Sequence, residues 1–148
     1  MVAYGEVDEL NAAVGFAASL EPDSFDAAFL QTIQRDLFTI GAELASPDRS
    51  KAPNIGEPQI GMLEHMIDGH EAKLEPLKTF ILPGGTPKAA AFHLARTVCR
   101  RAERAVVSLA RAQTISPSIV KYLNRLSDLL FVLARATNAQ AGRPDVAW

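Results

Sequence analysis

Between Pro87 and Thr114 the sequence carries no interior glycine or proline, and apolar residues recur at three- and four-residue intervals. That pattern predicts one helix of about 28 residues, ~42 Å long, along which the rest of the chain has to be organised. At ~100° per residue, Ala91, Leu94, Val98, Ala102, Ala105 and Leu109 fall within about 80° of one another and form an apolar stripe. Arg96, Arg100, Glu103 and Arg104 point the other way. Arginines at i, i+4 and i+8 repel one another by roughly 0.2–0.5 kcal/mol per pair, so this face needs an anion. Solvent and carboxylates of a neighbouring helix are one answer. A polyphosphate or carboxylate ligand is the other, because guanidinium groups fork onto phosphate oxygens and stay charged when desolvated. Glu103, about one turn from the arginines, can pair with them or hold a cation that bridges to the same phosphates.

The 148 residues are enough for one domain that buries about two-thirds of its unfolded surface. A composition of 48% hydrophobic and 22% charged residues with a net charge of −2 gives no general affinity for nucleic acid, so the arginine cluster is local. No apolar run approaches the ~18 residues of a membrane span, and the start lacks a basic segment followed by an apolar one. A soluble, cytoplasmic protein is expected. Cys99 is the only cysteine; it excludes an internal disulfide and reads as a small packing residue.

Four more amphipathic segments surround the central run. Gly5 to Leu20 is a predicted helix on Val7, Leu10, Val14 and Ala17, with Glu6, Asp8 and Glu9 placed in its opening turn to complement the dipole. Phe25 to Ala45 follows, carried by Phe29, Leu30, Ile33, Leu37, Ile40 and Leu44, with Gly41 allowing close approach. Ser46 to Pro58, rich in proline, reads as a mobile loop. A third helix spans about Pro58 to Leu74 on Ile60, Leu63, Met66 and Ile67. Leu77 to Thr86 is an apolar run ending in a Pro-Gly-Gly turn, and Thr86-Pro87 forms an N-cap and N1 pair. Phe80 is thus displayed by a loop, where an exposed aromatic would suit a flat ligand; a tight turn is the plainer role of the segment. The last helix, Pro117 to Ala141, buries Leu123, Leu126, Leu130, Leu133 and Ala134. Asn124 and Asp128 share its polar face with Lys121 and Arg125, a pattern that surface solvation also explains. With no strand-like alternation, the fold class is all-α: a single-domain five-helix up-and-down bundle over 1–148, packed in the manner of ferritin-like four-helix bundles.

Several constellations are excluded. None of His65, His70 or His93 has a glutamate three residues before it, which removes a di-iron bundle. There is no zinc-type Cys/His cluster and no nucleophile motif. Glu6 and Glu9 with Glu103 and Asp128 could hold magnesium as in all-α nucleotide pyrophosphohydrolases, and this reading stays open.

Four stretches, taken together and in order, resemble one family: Tyr-Gly-Glu-Val-Asp-Glu-Leu-Asn-Ala-Ala-Val-Gly (4–15), Phe-Ile-Leu-Pro-Gly-Gly (80–85), Arg-Thr-Val-Cys-Arg-Arg-Ala-Glu-Arg (96–104) and Tyr-Leu-Asn-Arg-Leu-Ser-Asp-Leu-Leu-Phe-Val-Leu-Ala-Arg (122–135). They are similar to the PduO-type ATP:cob(I)alamin adenosyltransferases over nearly the whole chain. The resemblance implies a homotrimer with each active site between two subunits. It implies magnesium and ATP as ligands, and transfer of the 5′-deoxyadenosyl group to cob(I)alamin to give adenosylcobalamin and triphosphate. By the same resemblance Arg100 contacts the triphosphate, and Glu103 is the acid of the metal and nucleotide. Arg96 bridges across the subunit interface to Asp8, and Asn124 contacts the nucleotide, with Asp128 one turn on. Phe80 is matched to the aromatic that excludes the corrinoid's lower axial ligand, leaving a four-coordinate Co(II) that is easier to reduce. A corrinoid reductase or an adenosylcobalamin-dependent enzyme is the implied protein partner.

Family members usually carry a Thr- and Gly-rich segment with a lysine before the first helix, and here three residues precede Tyr4. The expectations are a truncated start, a shortened variant, or a corrinoid-binding escort with reduced catalysis.

Overall fold

The computed structural model describes residues 2–148. Its helices are α1 (Val2–Ser19), α2 (Ala27–Ala45), α3 (Glu57–Glu71), α4 (Pro87–Ala110) and α5 (Pro117–Gln140), with one 3-10 turn, Arg49–Lys51, between α2 and α3. At the head of α4 the Thr86 hydroxyl accepts from the Ala89 amide at 3.2 Å. Pro87 fills the first helical position, where its missing N–H is no loss. At the head of α3 the Gln59 side chain accepts from the Gly56 amide at 2.9 Å. Ser116 makes no side-chain cap for α5; its amide donates instead to the Glu43 carboxylate of α2 at 3.3 Å.

Contacts fix the directions of the helices. Asn11 and Gln34 exchange side-chain to backbone bonds at 3.2 and 3.3 Å, and a Cβ at Gly41 would stand 3.5 Å from the Tyr4 ring, so α1 and α2 are antiparallel. Cys99 meets the Leu123 carbonyl at 3.2 Å and His93 meets Phe131 at 5.9 Å, which makes α4 and α5 antiparallel. Tyr122 of α5 donates to Asp36 of α2 at 2.9 Å. These four helices enclose the core. The fifth, α3, lies outside against α5 and parallel to it, with Glu57 paired to Lys121 and Glu64 to Arg125. Up-and-down order is therefore realised, and among the described residues no helix is long and apolar enough to cross a membrane.

The predicted stripes of α1 and α5 are buried, as is that of α2 except for the partly buried Phe29, and Ile60 and Leu63 anchor α3. One buried ion pair sits among them: Lys88 and Asp26, each 2% exposed, meet at 2.8 Å and join the start of α4 to the start of α2. Removing one member of such a pair costs about 3–5 kcal/mol, because the other is left charged without a partner.

The stripe of α4 differs from the prediction. Ala91, Val98 and Ala102 are buried as expected and Ala105 and Leu109 pack partly buried against the core, but Leu94 is 61% exposed, and the buried face extends to Phe92, Ala95, Cys99 and Val106 on the opposite side of the stripe. The helix also ends at Ala110 rather than Thr114, and α3 ends at Glu71 rather than Leu74. Helix α1 begins at Val2, so Glu6, Asp8 and Glu9 fall beyond its first turn, and the dipole does not explain them. Glu6 and Glu9 instead grip Arg101 of α4, Glu6 at 2.6 Å from its Nε and Glu9 on Nη2.

Candidate active site

Beside α4 and α5, and roofed by the segment between α3 and α4, lies a cleft of about 480 Å³. Helix α4 contributes Arg96 and Arg100, α5 contributes Ser127, Asp128 and Phe131, and the roof contributes Phe80. Four residues from three separate sequence motifs, Phe80, Arg96, Arg100 and Asp128, therefore converge within a single chain.

The lining carries two cations, Arg96 and Arg100, and two carboxylates, Glu71 and Asp128, but no ion pair joins them. Among the described residues neither Arg96 nor Arg100 makes an ion pair, whereas Arg101, Arg125 and Arg135 each do. Arg96 stands 5.8 Å over the Phe131 ring, and its Nε is buried with no hydrogen-bond partner. A buried donor left unpaired costs about 1–3 kcal/mol. His93 flanks the same ring, and its Nε2 is likewise buried and unpartnered. Burial, then the adjacent Arg96 charge, hold the imidazole below its ordinary pKa, with Asp145 opposing. This corner favours an incoming anion.

The remaining predicted residues lie elsewhere. Asn124 is half-buried, and its amide oxygen accepts from Arg125 at 2.9 Å while Arg125 binds Glu64, so it does not line the cleft. Glu103 is half-buried one turn beyond Arg100, also outside the lining. Asp8 is exposed on α1, in a shallow groove of about 200 Å³ with Tyr4, Leu37, Phe38 and Gly41. The single chain does not bring it to Arg96. Among the described residues no three of His, Cys, Asp and Glu cluster as a metal cage would require. Glu6 and Glu9 are occupied by Arg101. The carboxylate arrangement of a pyrophosphohydrolase is thus overturned. Cys99 is inert as expected: burial, then the charges of Glu103 and Asp128, push its thiol far above the ordinary range.

Ser127 and Phe131 were not singled out from sequence. Their signal was present, since Phe131 lies at i+3 from Asp128 and i+4 from Ser127, spacings that share one helix face.

The fold is an all-α bundle, and its cleft sets two arginines beside an exposed aromatic. The family model for cobalamin adenosyltransferase matches residues 1–137. A cobalamin adenosyltransferase of Cupriavidus metallidurans is 47% identical over 150 residues, covering 100% of this chain and 79% of the relative. A corrinoid adenosyltransferase of Bacillus subtilis is 44% identical over 149 residues, covering 98% and 77%. A solved variant of the PduO-type ATP:corrinoid adenosyltransferase of Lactobacillus reuteri, complexed with cobalamin and ATP, superposes with a TM-score of 0.93 at 40% identity, covering 99% of this chain and 83% of that one. The chain belongs to the cobalamin adenosyltransferase family.

Proposed function

We propose that the chain transfers the 5′-deoxyadenosyl group of ATP to cob(I)alamin, forming adenosylcobalamin and triphosphate. The observation that carries this reading is the convergence of two unpaired arginines and an exposed aromatic in one cleft. The cobalt(I) electron pair forms the new bond to the 5′ carbon as the carbon–oxygen bond to triphosphate breaks. Negative charge grows on the leaving phosphates, and Arg100, with no carboxylate partner of its own, is placed to stabilise it without reorganisation. Phe80, 79% exposed on its loop, offers an apolar face to the corrinoid and excludes a lower axial ligand. Asn124 and Asp128 would contact the nucleotide. Among the described residues no three potential metal ligands cluster, and Glu103 would hold a magnesium ion that offsets the phosphates' charge.

Assembly as a homotrimer accounts for the residues that the cleft omits. The α1–α2 face exposes Tyr4 and Phe38 around Asp8, an apolar and acidic surface suited to cover a second copy's Arg96. A shared site then includes Asp8 from one subunit and the arginines from the next. A cytoplasmic location suits a reaction that consumes ATP and reduced corrinoid.

The direct test mixes the purified chain anaerobically with chemically reduced cobalamin, magnesium and ATP. The expected result is a light-sensitive cobalt–carbon product with stoichiometric triphosphate. Corrinoid binding with no such product would overturn the transfer reaction in favour of an escort role.

A further inference from the structure

Phe80 has no seat in the core, so something else must hold it over the cleft. Its segment pairs with the C-terminal tail: the Trp148 amide donates to the Phe80 carbonyl at 2.9 Å, the Leu82 amide donates to the Val146 carbonyl at 2.8 Å, and Ile81 faces Ala147 in an antiparallel bridge. The Trp148 ring lies 6.2 Å from that of Phe80. Two rungs of backbone pairing are weak alone, and one side chain of α5 reaches the chain just before each of the two paired segments. Arg135, 8% exposed, donates from Nε to Asp145 at the head of the tail at 2.8 Å and from Nη2 to the Glu75 carbonyl at 2.7 Å. One turn on, the Asn138 amide donates to the Gly84 carbonyl and accepts from the Thr86 amide, both at 2.9 Å. Gly85 turns there with φ of +111°, where a Cβ would come within 2.2 Å of Asn138.

We infer that Arg135 is a positioning residue for the corrinoid side of the reaction: its fork, closed on Asp145 and Glu75, sets where Phe80 stands. The inference rests on the proposed placement of the corrinoid against Phe80. Burying a guanidinium is costly, and a leucine would pack the same helix more simply. What a leucine cannot do is hold a backbone carbonyl of one segment and a carboxylate of another at fixed spacing, which a planar fork does and a lysine does not. Arg135 lines a second cavity, of about 500 Å³, behind the loop, so it acts from the side away from Arg96 and Arg100 and touches no reacting atom.

The test compares Arg135→Lys and Asp145→Ala, alone and combined with Phe80→Ala. It reads the fraction of cob(II)alamin made four-coordinate in the presence of ATP by electron paramagnetic resonance, together with the KM for ATP and the melting temperature. Asp145→Ala lies outside every helix and guards against an Arg135 variant that fails to fold. The expected result is a loss of four-coordinate species approaching ~10²-fold, the scale of a 1 Å misplacement. The KM for ATP should be unchanged, and no further loss should appear on the Phe80→Ala background. Full four-coordinate population in folded single variants, or losses that add to that of Phe80→Ala, would overturn the positioning role while leaving the proposed reaction intact. A silent Phe80→Ala would instead remove the corrinoid placement, and the inference with it.

Discussion

On one flank of α4, Arg101 is gripped by Glu6 and Glu9 of α1; on the other, Arg96 and Arg100 face a cleft that offers them an aromatic ring and no ion pair. The two flanks share a helix, a residue type and nearly a sequence position. Arg101 is a surface charge matched within its own chain, an arrangement worth little to stability and open to solvent. Arg96 and Arg100 leave their charge available, and Arg96 leaves a buried donor unfilled. Arg101 is neutralised within the fold, whereas among the described residues Arg96 and Arg100 have no such partner.

Four experiments would break or sharpen that contrast. The largest effect is expected from Arg100→Ala, which should cut turnover by roughly 10²–10³ while circular dichroism and melting stay close to the parent, on the scale of losing one preplaced donor to a developing oxyanion. Turnover near that of the parent would end the assigned role. Next comes Asp8→Arg, which should weaken both assembly in sedimentation and activity, with partial recovery when Arg96→Asp is added; an unaltered oligomer in the single variant would remove the inter-subunit pair.

The third is a pH effect. His93 and His70 both have pKa values lowered by burial as the largest cause, so below about pH 6.5, the ordinary histidine value, the unfolded chain binds protons that the folded chain does not. Stability is therefore complete above that pH and declines as pH falls through it toward the lowered folded values. Denaturant midpoints at pH 8 and pH 6 should show the decline, and His93→Gln should flatten it. Arg96→Gln should raise the His93 pKa in NMR titration by removing the neighbouring charge. The smallest effect is expected from Arg101→Ala, which should leave turnover unchanged and lower the melting temperature only slightly. A large loss of activity there would erase the distinction between the flanks.

Much of this was legible in sequence because it is local. Val7, Leu10, Val14 and Ala17, or Leu123, Leu126, Leu130 and Leu133, are large enough at fixed spacing to leave one solution for the buried face. Helix α4 was centred to one side because it is rich in alanine: Ala91 and Ala102 are buried as expected, but Ala95 on the neighbouring meridian is buried as well, and Leu94 drew the stripe toward the exposed side. Arg96, Arg100, Phe80 and Asp128 were found because each sits in a recognisable motif. The grip of Glu6 and Glu9 on Arg101 joins residues more than 90 positions apart, and no local period announces it. The pairing of residues 80–82 with the tail is too short to show alternation, and Arg135 and Asn138 sit in the polar gaps of a helix whose leucines speak louder.

Trp148 is the only tryptophan in the chain and, at 84% exposure, its ring stands beside Phe80 at the rim of the cleft. The molecule thus carries its own unlabelled optical probe at the place where a strongly absorbing macrocycle would arrive. Fluorescence quenching of that one indole should give corrinoid occupancy directly, free of background from any other tryptophan.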